Sequence, residues 1–302
     1  MKEAKAGSIR QSVIAGSWYP GQPDELRRTL EGYLADAEKV ELGGKPREGE
    51  LKALISPHAG YAYSGPTAAY AYKQLEDGLS TVSGATSGHR PAFDTVAVLS
   101  PSHQAHLGRF AVTRASHYET PLGLVEVDAE LVEALGKEVT LNRVGFDGEH
   151  SLEIQLPFLQ QVLGAFTLLP VMLGESLTSD RSLVVCRELS AALAKLLRDR
   201  KALIVASTDL AHLYDYNDVV RHDRVIIELV ERFDVEGLAR ALIEGRGQAC
   251  GGASVVTALL TAQTLGANRA TVLHYTNSGD VTGDRQPGSY TVGYMAAAVY
   301  QT

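Results

Sequence analysis

Cysteine is scarce in this chain, with only Cys186 and Cys250 among 302 residues. Two thiols cannot build a disulfide framework, so the sequence favours a reducing compartment and we predict a cytoplasmic location. Long hydrophobic runs are absent as well, and none approaches the roughly 18 residues that span a bilayer. The amino-terminal residues MKEAKAGSIRQS lack the apolar core of a secretory signal. We therefore expect no contact with membranes.

An excess of positive charge is also missing. The net charge is −8 and the pI is about 5.6, with basic residues interspersed among acidic ones. Proteins that bind nucleic acid usually carry a basic patch that neutralises phosphates, so we exclude nucleic acid as a partner. Three common motifs are lacking too: the G-x-S-x-G elbow of hydrolases, the phosphate-binding P-loop and the C-x-x-C pair of structural zinc sites.

What the sequence does contain is a regular alternation of apolar strands and amphipathic helices. Hydrophobic residues make up 45% of the chain, which is enough for a large core. Such alternation is typical of a mainly parallel sheet with helices on both faces. We predict an α/β fold, a three-layer αβα single domain over residues 1–302 with a mainly parallel or mixed central sheet. Within it we expect helices to open near Pro66 and Ser151, and a turn at 118–124.

Three of the predicted strands each end in a polar segment that contains a histidine. These histidines are His58, His103 and His212. If the strands are neighbours in one sheet, their carboxyl ends meet at one crevice, which is where open α/β proteins carry their chemistry. A lone histidine in such a place is more often structural, but three in equivalent positions favour a functional site. The segments are LKALISPH (51–58), DTVAVLSPSH (94–103) and KALIVASTDLAH (201–212).

Two of these histidines would begin a metal site. Neutral imidazoles commonly bind transition metals, and a third protein donor completes a site that stays open on one side. Candidates for that donor are the carboxylates of Asp209 and Glu149 and the thiol of Cys250. Cys250 precedes two glycines at the start of a predicted helix, where the helix dipole and free N–H groups favour the thiolate. Such a thiolate is a metal ligand or a nucleophile, and we favour the ligand.

Asp209 and His212 are separated by three positions in STDLAH. On a first helical turn this spacing puts both on one face, so the carboxylate would orient the imidazole for acid–base catalysis. The alternative is a helix cap at 207–209 with an incidental histidine. Glu149 and His150 precede another predicted helix, and we expect them to support the metal ligands from behind.

At these residues the chain resembles the Memo family, also called AmmeMemoRadiSam system protein B. The matching segments span nearly the whole sequence in the expected order, and together they are highly specific. They are AGSWYP (15–20), PHAGYAYSG (57–65), PSH (101–103), TPL (120–122), EHSLEIQLPF (149–158), STDLAH (207–212), CG (250–251) and GSYTVGYMA (288–296).

The Memo family is similar to the class III extradiol dioxygenases, which hold a non-haem iron with two histidines and a carboxylate. The resemblance implies that His58, His103 and Cys250 are the metal ligands, with the cysteine in place of the carboxylate. It also implies that His212 is the acid–base residue, with Asp209 beside it. Fe(II) is the first choice of metal and copper the second. AMMECR-type and radical-SAM proteins of the same system are implied as partners.

Three functions follow as hypotheses. The first is a redox or dioxygenase-like enzyme with a mononuclear non-haem metal that acts on a small phenolic or aromatic molecule. The second is a metal-independent module that binds a peptide or partner protein in the same crevice, with lining from Trp18, Tyr61, Tyr63 and Tyr118. The third is a metal-free hydrolase or transferase that uses Cys250 or the Asp209–His212 pair. The sequence favours them in this order.

Overall fold

A mixed sheet of twelve strands forms the middle layer of the fold. The computed structural model describes residues 8–38, 49–76, 93–103 and 107–302, and every structural statement below concerns these residues. The strands are Ile9–Arg10 (β1), Glu50–Ser56 (β2), Thr95–Pro101 (β3), Phe110–Thr113 (β4), His117–Thr120 (β5), Gly123–Val127 (β6), Leu141–Val144 (β7), Thr167–Leu173 (β8), Ala202–Ser207 (β9), His212–Leu213 (β10), Arg269–Asn277 (β11) and Thr291–Gln301 (β12).

Helices cover the sheet, as expected for a three-layer α/β fold. The helix α2 packs on β2 and β12 and carries α1 and α5, while α9 packs on β2, β3 and β9 and carries α6 and α8. The helices are Pro23–Glu38 (α1), Tyr61–Lys73 (α2), Ala129–Glu138 (α3), His150–Glu153 (α4), Leu156–Leu163 (α5), Asp180–Leu197 (α6), Tyr216–Glu231 (α7), Val235–Ile243 (α8), Gly252–Thr264 (α9) and Ser278–Thr282 (α10). In the described part of the chain, no helix has the length and apolar character to cross a membrane.

The centre of the sheet is parallel and buried. The order along the sheet is β1-β5-β6-β8-β3-β9-β2-β12-β10, and β8, β3, β9 and β2 run parallel to one another. Every residue of β3 (TVAVLSP) is buried, which is why this strand reads as a continuous apolar run rather than an alternating one. The register pairs Ser56 with Ser207, so β2 and β9 end side by side. The predicted adjacency of the three histidine-bearing strands is confirmed.

Two local expectations need correction. The turn predicted at 118–124 is present at 121–122, but it joins the two strands of the β5–β6 hairpin, which include the flanking residues, and Tyr118 in β5 is fully buried. The helix expected to open near Pro66 begins five residues earlier, at Tyr61, whose N–H donates to the Trp18 carbonyl. Pro66 therefore lies inside α2, and Gly65 beside it allows the Tyr33 ring to pack on the helix, since a Cβ there would lie 2.6 Å from that ring.

The helix predicted from Ser151 is divided in two. The short α4 ends at Glu153, and α5 follows after a break, with Pro157 in its first turn where a missing N–H costs nothing. Glu149, not Ser151, caps the first piece: its carboxylate accepts from the N–H groups of His150 and Ser151. This cap places Glu149 and His150 at the crevice.

Candidate metal site

Three imidazoles converge at the carboxyl ends of the central strands. His58 follows β2, His103 follows β3 and His150 begins α4. One ring nitrogen from each can be chosen so that all three lie within 4.8 Å of one another. The ring centroids are separated by 5.2 Å for His58–His103, 5.6 Å for His58–His150 and 4.8 Å for His103–His150. A single metal ion placed among them would be within reach of all three rings.

The hydrogen bonds around His58 define its tautomer. Ser207 Oγ donates to the Ser151 carbonyl and accepts from the Gln155 amide, so it meets His58 Nδ1, 2.9 Å away, as an acceptor. The proton therefore resides on Nδ1, and Nε2 presents a lone pair to the crevice. Burial lowers the pKa of His58 well below its usual value, and the neighbouring imidazoles His103 and His150 lower it further. His58 is thus a neutral imidazole ready to bind a metal.

His103 is held in the same tautomer by a charged group. Its Nδ1 lies 2.9 Å from Glu149 Oε1, and its backbone N–H donates to the other carboxylate oxygen. Burial alone would raise the pKa of Glu149, but hydrogen bonds from His103 and from the Ser151 N–H outweigh it and lower the pKa to about 2. Glu149 is therefore an anion behind His103, an arrangement that fixes the ring and increases its basicity toward a metal.

The thiol of Cys250 contacts the imidazole of His58. Its Sγ lies 3.1 Å from His58 Nε2 and accepts from the Asp209 N–H at 3.2 Å. A side chain at Gly251 would bring a Cβ within 2.2 Å of the Ser207 carbonyl, so glycine is what lets α9 deliver Cys250 this close to β9.

The expectation that Cys250 is a thiolate is wrong for the protein without a bound cation. Burial raises the pKa of the thiol, and the charge of Asp209 raises it further. These effects exceed the stabilisation offered by the start of the helix. The neutral thiol donates to His58, and a metal ion would have to displace that proton for sulfur to bind.

Asp209 does not orient His212. The segment after β9 is not helical, and His212 lies in the short strand β10, where its Nδ1 donates to the Leu210 carbonyl at 2.9 Å. Asp209 instead accepts from the His58 N–H at 2.7 Å. Burial raises the pKa of Asp209 to about 7, against the lowering effect of the backbone N–H groups of His58 and Ala59. Asp209 is thus linked to His58, with Oδ2 4.0 Å from Nε2.

His212 is nevertheless positioned firmly at the edge of the crevice. The Leu210 N–H donates to the Gly293 carbonyl, the Gly293 N–H donates to the Ala211 carbonyl, and Asp223 accepts from the Ala211 N–H. The bond to Leu210 leaves Nε2 of His212 as a proton acceptor. Burial lowers the pKa of His212, so the ring is a base at neutral pH.

His150 is the member of the cluster that the sequence placed in a supporting role only. Its Nδ1 is 3.2 Å from Glu149 Oε1, and its ring lies 4.4 Å from the Trp18 ring. The signal in the sequence was its position directly after Glu149. Recognising it as a possible ligand would have required knowing that Glu149 caps α4 and so turns His150 toward His103.

The aromatic residues expected to line the crevice divide into two groups. Tyr61 and Tyr118 are buried core residues with exposures of 3% and 0%, so they cannot line a binding surface. Trp18 and Tyr63 are accessible, at 36% and 44%. An exposed ring that the sequence did not single out, Tyr290, lies 6.2 Å from the His212 ring.

The donors present fit a transition metal. Two imidazoles present Nε2 as a lone pair, a third imidazole and a thiol lie next to them, and one of the supporting groups is an anion. Imidazole and thiolate suit iron, copper or zinc better than the hard cations calcium and magnesium, which prefer oxygen ligands.

The chain is similar to known proteins over nearly its whole length. A family model described as Memo-like protein matches residues 10–298. A MEMO1 family protein of Nitrosopumilus maritimus is 35% identical over 294 residues, covering 95% of this chain and 98% of its own. One of Thermotoga neapolitana is 35% identical over 301 residues, covering 96% and 99%.

Among solved structures, the uncharacterized protein JW3007 of Escherichia coli K12 is similar at a TM-score of 0.47 and 16% identity. The match covers 83% of this chain and 100% of that one. This overlap is too loose to bear on function.

Proposed function

This chain belongs to the Memo-like protein family, and from that membership we propose that it holds one transition-metal ion and carries out dioxygenase-like redox chemistry. The substrate class is a small phenolic or aromatic molecule. His58 and His103 would bind the metal, with a third donor from Cys250 or His150. Iron is the first choice of metal and copper the second.

One observation carries this proposal: the imidazoles of His58, His103 and His150 have ligand atoms within 4.8 Å of one another at the strand ends. Burial keeps His58 neutral. Ser207 and Glu149 bond to the Nδ1 atoms of His58 and His103, which leaves the Nε2 atom of each ring available to a metal. In metal proteins, a hydrogen bond to the other ring nitrogen fixes the tautomer and orientation of a metal-binding histidine in this way.

The metal, when bound, would supply an electron-transfer centre and a Lewis acid beside the substrate. The protein's own residues would do the rest. His212, a neutral base with a free Nε2, would take a proton from a phenolic hydroxyl. Asp209, with a pKa of about 7, would exchange protons with the thiol and imidazole beside it.

The third ligand is the point on which the family resemblance and the geometry differ. The resemblance favours Cys250, whereas the three-imidazole cluster contains His150. Cys250 lies against His58 and needs only to lose its proton to bind, since its Sγ is already 3.1 Å from His58 Nε2. We keep Cys250 as the proposed ligand and treat His150 as its competitor.

Metal content tests the proposal. Protein purified without oxygen should contain close to one iron or copper per chain by elemental mass spectrometry, and His58→Ala should lose it. Cys250→Ser and His150→Asn identify the third ligand, because only the substitution that removes a metal ligand is expected to lower the metal content. His222→Ala is the matched control: this histidine bonds to the Asp218 carbonyl in α7, outside the cluster, and its removal should leave the metal in place.

Protein that stays metal-free after iron and copper are offered would reject the metalloenzyme. In that case the binding module becomes the better explanation, since three exposed aromatic rings lie beside the site: Trp18 against His150, Tyr290 near His212, and Tyr214 against Tyr290. Peptide affinity that survives removal of the metal and Cys250→Ser would support that alternative. The metal-free thiol nucleophile is disfavoured by the raised pKa of Cys250.

A further inference from the structure

A cavity of about 150 Å³ adjoins the imidazole cluster. Its wall includes His103 and Cys250, so it opens from the crevice. The lining continues from Cys250 into the start of α9, with Gly251, Ala253 and Ser254. The metal chemistry proposed above uses none of these three residues.

The start of α9 offers unused backbone donors. Gly251, at the cap position, makes no side-chain cap, and its own N–H donates to Thr208 Oγ1. The Gly252 N–H donates to the Ala249 carbonyl. The two N–H groups that follow, of Ala253 and Ser254, fall in the first helical turn, where no intrahelical carbonyl is available. Within the described residues no other acceptor is found for either. A helix start with free N–H groups attracts negative charge.

The Ser254 side chain provides an independent sign that something binds here. Ser254 is fully buried, at 0% exposure, and its hydroxyl has no hydrogen-bond partner in the described part of the chain. Leaving a buried hydroxyl unpaired costs about 1–3 kcal/mol, so native proteins rarely tolerate it without a ligand or water. Because Ser254 is part of the cavity wall, a group in the cavity would satisfy it.

We propose that this cavity is a carboxylate subsite, which would make the substrate of the metal site a small carboxylic acid. This substrate assignment rests on the function proposed above. A carboxylate has two acceptor oxygens and no donor, which matches a hydroxyl and two N–H groups. Its position beside His103 and Cys250 would point the remainder of the acid toward the metal ligands.

Size and charge select a carboxylate over a phosphate. The cavity volume equals that of roughly five water molecules, which suits a carboxyl group and the first atoms of a ring. Glu175 also lines the cavity, and one of its oxygens is 4.0 Å from the Arg109 guanidinium. The partly compensated charge of Glu175 would repel a dianion more strongly than a monoanion. Among the residues that the structure describes, no lysine or arginine lines the cavity to hold a phosphate.

A matched pair of probes tests this subsite in the metal-free protein. Phenol and 4-hydroxybenzoate share a ring and differ by the carboxylate, and both can be titrated while the amide signals of Ala253 and Ser254 are followed by NMR. We expect 4-hydroxybenzoate to bind at least tenfold more tightly than phenol. Ser254→Ala should weaken 4-hydroxybenzoate by about tenfold and leave phenol unchanged, since a hydrogen bond to a charged group is lost.

Thr257→Val is the control, because it removes another buried hydroxyl of α9 that does not line the cavity. Equal binding of the two probes by the parent protein would overturn the proposal without any variant. So would an equal weakening of both probes by Ser254→Ala, or inorganic phosphate acting on the same amides at lower concentration than 4-hydroxybenzoate.

The outcome is separable from that of the proposed function. A carboxylate preference in protein that never takes up metal would keep the subsite and reject the metalloenzyme. Stoichiometric metal without any carboxylate preference would do the reverse.

Discussion

The two sides of the crevice treat a buried carboxylate in opposite ways. On one side Glu149, only 2% exposed, has its pKa lowered to about 2. On the other side Asp209, 3% exposed, has its pKa raised to about 7. Both side chains are almost inaccessible to solvent and burial penalises the charge of both, but the pKa also depends on the hydrogen-bond donors around each carboxylate.

The difference lies in the donors. Glu149 accepts from the backbone N–H groups of His103, His150 and Ser151 and from His103 Nδ1. Asp209 accepts from the backbone N–H groups of His58 and Ala59, and in the described part of the chain no side chain donates to it as His103 does to Glu149. One imidazole is therefore supported by a permanent anion and the other by the neutral hydroxyl of Ser207. The site has a charged half and a half whose charge changes near neutral pH.

The largest expected effect comes from Asp209→Asn. A folded pKa of about 7 lies above the ordinary value of 3.8, so the unfolded chain loses this proton first and stability falls as pH rises between about 4 and 7. The three-unit shift corresponds to about 4 kcal/mol. In urea unfolding of metal-free protein, the free energy of unfolding of the parent should fall by about 4 kcal/mol relative to that of Asp209→Asn between about pH 4 and pH 7. Parallel pH profiles for the two proteins would contradict the raised pKa.

Glu149→Gln should produce a pH dependence of the opposite sign. The folded pKa of about 2 lies below the ordinary 4.5, so the carboxylate contributes stability at neutral pH that is lost as pH falls from about 4.5 toward 2. The shift corresponds to about 3 kcal/mol. The advantage of the parent over Glu149→Gln in urea unfolding should be constant above pH 5 and shrink below it. An advantage that grows on acidification would refute the charged state of Glu149.

The smallest effect is expected for Ser207→Ala, which removes the neutral support of His58. Metal affinity should fall by about tenfold, whereas loss of the anion in Glu149→Gln should approach a hundredfold. Competition with a metal-binding indicator dye gives both values. Thr257→Val, a buried hydroxyl outside the site, serves as the control and should leave affinity unchanged. A larger loss from Ser207→Ala than from Glu149→Gln would mean that the charge behind His103 is not what tunes the metal.

The sequence predicted the fold and the meeting of three histidine-bearing strand ends because parallel apolar strands have a strong local signature. Their polar ends must lie at one edge of the sheet, which placed His58 and His103 together before any coordinates were known. Cys250 was also expected at the crevice, from its glycine-flanked helix start.

The relation between Asp209 and His212 was not predictable, because it depends on contacts from distant parts of the chain. The loop that joins them is fixed by Gly293 in β12 and by Asp223 in α7, rather than by its own helical propensity. The role of His150 likewise depends on how Glu149 caps a helix of only four residues. Local spacing cannot report a geometry that other elements impose.

The hydrogen bonds that fix the imidazole tautomers also give the site a definite proton stoichiometry. At pH 8 the Nε2 atom of His58 carries no proton, because burial lowers the pKa of this ring, so its ligation would release none. Cys250 keeps its proton at that pH because its pKa is raised, and ligation by sulfur would therefore expel one proton for each metal bound. The difference between the acid liberated during loading by the parent and by Cys250→Ser thus isolates the proton expelled by sulfur from any proton lost by metal-bound water. The identity of the third donor becomes a matter of titration with dilute base.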